Sequence, residues 1–521
     1  MNLESTRSRT MHVLLAVALA FGSATPALAA TSSVSGSITN ADGTETVWTD
    51  DYEYVEPEAG WDSTSELPEV DTRDFFGSLR AVREQIGMKG VRTTGRGIDI
   101  ALIDTGVVSV DGLNTRGRVI NGPDLSFESQ DPDLRYLDTF GHGTHMAGIM
   151  VSDARDVPGI APGARLVNVK VAPYNGAVDV TQILAAIDWV IQNRNANGLD
   201  IRVLNLSYGT DSLSRANEDL IAYAVEQAWR AGIVVVVAGG NDGNEQRLTS
   251  PAYNPYVIAV GAADGSLIHT DLNPIPEFSN CGTSRRPVDL VAPGRSIMSL
   301  RDPGSYADVN HPESRSADGR RFVGSGSSQA AAVVSGAVAV LLEARPNLTP
   351  NQVKNVLMRS ATPLSAARAN CDGAGLLNVA EAASTSPRRA GQWHNPATAT
   401  GTLDASRGSH RVKLGDRELS GEIDIFGNPF NAAQWARHSA AGTAWNGGSW
   451  NGTQIIGTGL TEPSWAGPAW SGVSWSGVSW SGVSWSGVSW SGVSWSGVSW
   501  SGGTWSGVSW SGVSWSEAAW N

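Results

Sequence analysis

The stretch "GIVVVVAGGNDGN", Gly232 to Asn244, opens on an isoleucine and four valines and closes on glycines and asparagines. β-Branched residues on both parities of so short a run describe a strand buried on both faces, as in a parallel sheet covered by helices. Working outward, "IDIALID" (98–104), "RLVNVKV" (165–171), "RVLNLS" (202–207) and "YVIAVGA" (256–262) have the same character. Between them, Val178–Asn195 and Ala216–Ala231 repeat their apolar residues at helical spacing, the second stopping at Gly232, a usual C-cap. Strand–helix alternation of this kind predicts an α/β fold of three layers, with a mostly parallel sheet between helices.

The chain has 521 residues and a formal charge of −14. Its acidic balance excludes a nucleic-acid binder, which needs a basic footprint. Residues 1–30 read as a secretory signal peptide. Arg7 and Arg9 precede the apolar run Val13–Phe21, and Ala27–Ala29 supply small residues at cleavage spacing. The expected location is therefore secreted and extracellular. No later run reaches about 18 apolar residues, the length of a membrane span. Two cysteines, Cys281 and Cys371, stand 90 positions apart; a bridge and two buried thiols are both open readings.

Composition divides the remainder. Residues 31–74 are acidic, with Arg73 as the one basic residue, and read as a poorly folded segment. Residues 75–383 carry the α/β pattern. Residues 384–461 turn to Ser, Pro, Ala and Gly and read as a linker, with a small folded patch around "GEIDIFGNPF" (421–430). Residues 462–521 are a low-complexity tail in which tryptophan recurs every five positions from Trp465 to Trp520, mostly within "SGVSW".

Four short blocks hold the chemistry. "ALIDTGV" puts Asp104 at the C-terminal end of the first strand, the edge where open α/β sheets place their sites. "GHGTHMAGIM" (141–150) sets His142 between glycines ahead of a small, apolar helix. Asn241 follows the Val234–Val237 strand, and "VGSGSSQAAAVVSGA" (323–337) offers four serines where a glycine turn meets a buried helix. Alone, each is ordinary turn or cap chemistry. Together an acid, an imidazole, an amide and a hydroxyl are what acyl transfer requires, and the order Asp…His…Ser is one of the known triad orders.

These blocks resemble the subtilisin-like serine peptidases, the subtilases. "IDTGV", "GHGTHMAGI" and "GSSQAAAVVSG" are similar to the three catalytic blocks of that family. "GIAPGARLVNVKV" (159–171), "NLSYG" (205–209), "DLVAPG" (289–294) and "GAGLLNVAEA" (373–382) add to the likeness. The resemblance implies Asp104 as orienting acid, His142 as general base, Ser328 as nucleophile and Asn241 as side-chain donor to the oxyanion. It implies that Ser207, Tyr208, Gly209, Gly239 and Gly240 line the substrate site. The implied activity is peptide-bond hydrolysis through an acyl-enzyme, with protein or peptide substrates and no cofactor. The alternative is a catalytically silent scaffold that binds surfaces through its tail. The sequence departs from the family in reading Ser327-Ser328-Gln329 where Thr-Ser-Met is usual. Asp131, Asp133 and Asp138 read as solvated turn residues, and no metal site is assigned.

The tail is nearly free of charge, with Glu462 and Glu517 only. That composition excludes a polybasic lipid or nucleic-acid anchor. A flexible appendage, a short-repeat solenoid, self-association, and attachment to cell-wall glycan through stacked indoles all fit its composition.

Overall fold

The computed structural model describes two strands, Ala30–Thr39 and Glu45–Tyr54, and residues 77–454 apart from isolated positions. The expected signal peptide (residues 1–29) and the tryptophan tail lie outside the described residues. Ala30–Thr39 and Glu45–Tyr54 pair antiparallel, with Ala30 opposite Tyr54. The acidic segment thus contains a hairpin where the composition predicted little structure.

Within residues 77–454, seven strands form one sheet: β1 (Asp99–Asp104), β2 (Val119–Asp124), β3 (Arg165–Lys170), β4 (Ile201–Leu206), β5 (Val234–Ala238), β6 (Ile258–Ala263) and β7 (Leu290–Pro293). Their order across the sheet is β7-β6-β5-β4-β1-β3-β2, and every pairing is parallel. The expected strands are all present, and β5 is buried at each of its five positions, as its unbroken valines require. The sequence did not announce β2, "VINGPD". It is a half-exposed edge strand carrying Gly and Pro, which edges tolerate and central strands do not.

The helices α1 (Leu79–Gln85), α2 (His142–Val151), α3 (Val180–Asn193), α4 (Leu220–Arg230), α5 (Ser327–Ala344) and α6 (Pro350–Ser360) surround the sheet. α2 packs on α5 and α3 packs on α4. α2 lies in the connection from β2 to β3, α3 in that from β3 to β4, and α4 in that from β4 to β5. α4 ends as the sequence predicted: Gly232 adopts φ +92°, its N–H donates to the Trp229 carbonyl, and Ile233 N–H donates to the Ala228 carbonyl. The strand order reverses beside β1, which makes its C-terminal end a topological switch point. α5 is 18 residues long and apolar, yet 89% of it is buried in the domain, as a core helix should be.

Two open questions close here. Cys281 and Cys371 form a disulfide. And residues 384–454, expected to be mostly linker, are folded onto the domain. They contribute α7 (Leu403–Arg407), α8 (Ala432–Ala441) and three two-residue strands between Trp445 and Gln454. Leu403, Val412, Leu419, Ile425, Phe430, Trp435, Trp445 and Trp450 join the core cluster. The patch at 421–430 is real, with Ile423 bridged to Pro429, but it is one part of this longer structure.

Candidate active site

The site is built where strand ends meet helix starts. Asp104 closes β1, and the chain returns to it as α2. Nδ1 of His142, the first residue of α2, donates to the Asp104 carboxylate, at 2.9 Å from Oδ1 and 3.0 Å from Oδ2. Both side chains are fully buried. With its proton on Nδ1, the neutral imidazole presents Nε2 as the basic nitrogen.

Each glycine flanking His142 has its own reason. Gly141 adopts φ +102°, and a Cβ there would lie 2.5 Å from Ser305 Oγ. A Cβ on Gly143 would stand 2.1 Å from the Gly106 carbonyl oxygen and 3.0 Å from Asp104 Oδ1. Only a bare backbone lets the helix start come this close to the acid.

Asp138 departs from expectation. It is buried, and its carboxylate accepts from Gly141 N (2.7 Å), Thr144 N (2.7 Å) and Thr105 Oγ1 (2.6 Å). Thr105 Oγ1 in turn accepts from Gly143 N, and Thr105 N donates to Asp104 Oδ1. Asp138 therefore caps α2 and braces the strand end against the helix start, instead of lying in a solvated turn. Burial raises its pKa above the ordinary carboxyl value. An Asp a few residues ahead of a predicted helix start was the available signal. No group of three or more His, Cys, Asp or Glu side chains able to hold a metal ion occurs among the described residues.

His145, the other histidine of this block, is structural. Its ring is buried, with Nε2 3.1 Å from the Phe322 carbonyl oxygen. Burial, with a smaller push from His142, lowers its pKa from 6.5 to about 3. The folded protein keeps this ring neutral while the unfolded chain takes up a proton below pH 6.5. Its stabilising contribution is thus present above pH 6.5 and is lost as the pH falls toward 3. Between pH 7 and pH 5 that loss is about 2 kcal/mol. Denaturant midpoints of wild type and His145→Gln at the two pH values should show the variant losing about 2 kcal/mol less. Equal losses would contradict this.

The second half of the site lies two strands away. Past the end of β5, Asn241 Oδ1 accepts from Ser327 N (2.7 Å), and Ser327 Oγ accepts from Gly240 N (3.2 Å). The first turn of α5 is thereby tied to the end of β5. The N-cap residue of α5 is Gly326, and none of the serines caps the helix. Three of the four serines in the turn and helix are engaged: Ser325 Oγ accepts from Ser296 N, Ser327 Oγ from Gly240 N, and Ser335 Oγ donates to Asn205 Oδ1. Ser328 Oγ is buried with no hydrogen-bond partner among the described residues, and so is Asn241 Nδ2. A buried polar group left unpaired costs roughly 1–3 kcal/mol, so two at one place call for an explanation.

Ser207, Tyr208 and Gly209 leave the end of β4, the strand between β1 and β5, so they lie between the two halves. All three are buried. A Cβ on Gly209 would lie 2.4 Å from Thr249 Oγ1, and one on Gly240 would lie 2.3 Å from Asn280 Nδ2. Close packing therefore requires glycine at both positions.

A buried acid–imidazole pair, an unpaired hydroxyl at a helix N-terminus and an unpaired amide share one sheet edge. Comparison with known proteins matches residues 95–386 to the model of the subtilase family. The chain belongs to the subtilase family. Serine protease AprX of Bacillus subtilis is 34% identical to this subtilase over 308 residues, 57% of this chain and 68% of AprX. Subtilisin Savinase of Lederbergia lenta is 33% identical over 292 residues, 56% and 91% of the two chains. The minor extracellular protease Epr of Bacillus subtilis is 32% identical over 276 residues, 53% and 36% of the chains. This subtilase is accordingly a subtilisin-like serine endopeptidase. The match ends at residue 386, so the folded segment that follows lies beyond it.

Proposed function

We propose that Ser328, His142 and Asp104 carry the hydrolysis. His142 Nε2 takes the proton of Ser328 Oγ as that oxygen bonds to the scissile carbonyl carbon. The same proton passes to the departing amine as the C–N bond breaks, which leaves an acyl group on Ser328. A water, deprotonated by His142, then releases the acid and restores the serine. Asp104 stays ionised and holds the imidazole in the required tautomer. The observation that carries this reading is the pair of orphaned groups. Ser328 Oγ and Asn241 Nδ2 lack partners because their partners are the substrate carbonyl carbon and its developing oxyanion. Ser328 N–H, in the first turn of α5, supplies a second donor at the favourable end of the helix dipole.

Ser207–Gly209 and Gly239–Gly240 flank the bound peptide in this reading. Hydrolysis of a chromogenic peptide, blocked by a serine-directed phosphonofluoridate, tests the assignment; turnover that survives full modification of Ser328 would refute it. Asn241→Ala should lower kcat about 10²–10³-fold with little change in KM, the size of effect known for this donor in subtilisin. A rise in KM alone would instead put Asn241 in ground-state binding.

The enzyme acts outside the cell. Supporting this are the leader-like pattern of residues 1–30, the Cys281–Cys371 bridge, which suits an oxidising compartment, and the extracellular relative Epr. The regularly spaced indoles of residues 462–521 suit stacking on cell-wall glycan or on the tail of a second copy.

A further inference from the structure

Residues 387–454 have no counterpart in the family match, yet they supply hydrogen bonds to the loop that runs from β4 to α4. That loop, Ser207–Asp219, has little secondary structure of its own beyond a single bridge between Thr210 and Ser250. Its polar groups must then be satisfied from elsewhere. Thr210 Oγ1 donates to the Ser406 carbonyl (2.7 Å), and Leu213 N donates to the Ala405 carbonyl (2.8 Å). The Asp211 carboxylate accepts from Ser409 N (2.8 Å) and Ser409 Oγ (2.7 Å). Leu220 N, where the loop becomes α4, donates to Ser406 Oγ (3.2 Å).

The segment making these contacts is itself anchored. Arg407 is fully buried between them. Its Nε and Nη2 donate to Asp179, the N-cap of α3, at 2.6 and 3.3 Å, and its other N–H groups reach the Gly421 and Ile423 carbonyls. Further on, Trp435 Nε1 and Trp450 Nε1 each donate to Asp188 Oδ2 at 2.9 Å, and Ser439 Oγ donates to Asp188 Oδ1. Two buried carboxylates on α3 and its cap thus hold the segment from below, and residues 405–409 hold the loop.

We propose that residues 405–409, anchored by Arg407, form a clamp that fixes the Ser207–Gly209 strand end for an incoming peptide. Arg407, Ser406 and Ser409 are positioning residues for substrate binding. The proposal rests on the reading that Ser207–Gly209 flanks the bound peptide. A loosened loop would have to be ordered at each binding event, and that cost is common to ground and transition states. It therefore appears in KM and leaves kcat nearly alone.

The test compares wild type with Arg407→Lys and with the double variant Thr210→Val/Ser409→Ala, which removes two clamp hydrogen bonds with little change of shape. Each is assayed on a peptide long enough to fill several subsites and on a small activated ester, and its active sites are titrated with a phosphonofluoridate. The expected result is a KM for the long peptide raised about five- to tenfold, with kcat and ester turnover within about twofold. If Arg407→Lys does not fold, the double variant decides. An unchanged KM, or a fall in kcat with KM unchanged, in variants that titrate fully overturns the clamp. A wild-type enzyme that hydrolyses the ester without titrating at Ser328 overturns the assignment of the nucleophile instead.

Discussion

Ser328→Ala will leave a folded protein that hydrolyses peptides about 10⁶-fold more slowly, a factor known from subtilisin, a member of this family, rather than derived from this geometry. The structural half of the expectation comes from the site. Ser328 Oγ makes no hydrogen bond among the described residues, so its removal breaks nothing that holds α5 or the sheet. Ser327→Ala provides the contrast. It removes the acceptor for Gly240 N, a structural bond worth about 1 kcal/mol, and it leaves the nucleophile in place. Steady-state rates with thermal melts of both variants check this. A large loss of rate in Ser327→Ala alongside near-wild-type rates in Ser328→Ala would reverse the two roles.

Asp104→Asn comes next in size, about 10⁴-fold in kcat, the loss seen when a triad acid becomes an amide in a related chemistry. The surroundings of Asp104 explain why the loss here should be of that kind. Oδ1 accepts from Thr105 N (2.8 Å), so an asparagine will turn its carbonyl oxygen to that N–H. Its NH₂ then faces His142 Nδ1, which must accept. The imidazole proton moves to Nε2, and the ring cannot take a proton from Ser328. KM should change little because no substrate contact is lost. A fall of tenfold or less in kcat would show that Asp104 does not set the tautomer.

The sheet was legible because its strands are short, β-branched and apolar on both parities, which a covered parallel sheet demands and little else does. The site was legible for a related reason. Asp104, His142, Asn241 and Ser328 all sit beside glycines at strand ends or helix starts, and the structure brings Asp104 onto His142 and ties Asn241 to the turn of Ser328. What failed was reading by composition. Residues 384–454 have few apolar residues and no period, but the few are large. Trp435 and Trp450 are fully buried and find one carboxylate, Asp188, 247 and 262 positions back. Such pairing has no local signature. Asp138 misled in the same way, since its role depends on Thr105, 33 positions earlier. The disulfide was open because a 90-residue separation says nothing about distance.

The most direct measurement is a peptide map of the wild-type enzyme after inactivation with a phosphonofluoridate. One phosphonyl group per chain, carried by Ser328, with loss of activity in step with labelling, is the predicted result. Labelling at Ser327 or Ser325, or inactivation that leaves Ser328 unmodified, would contradict the account.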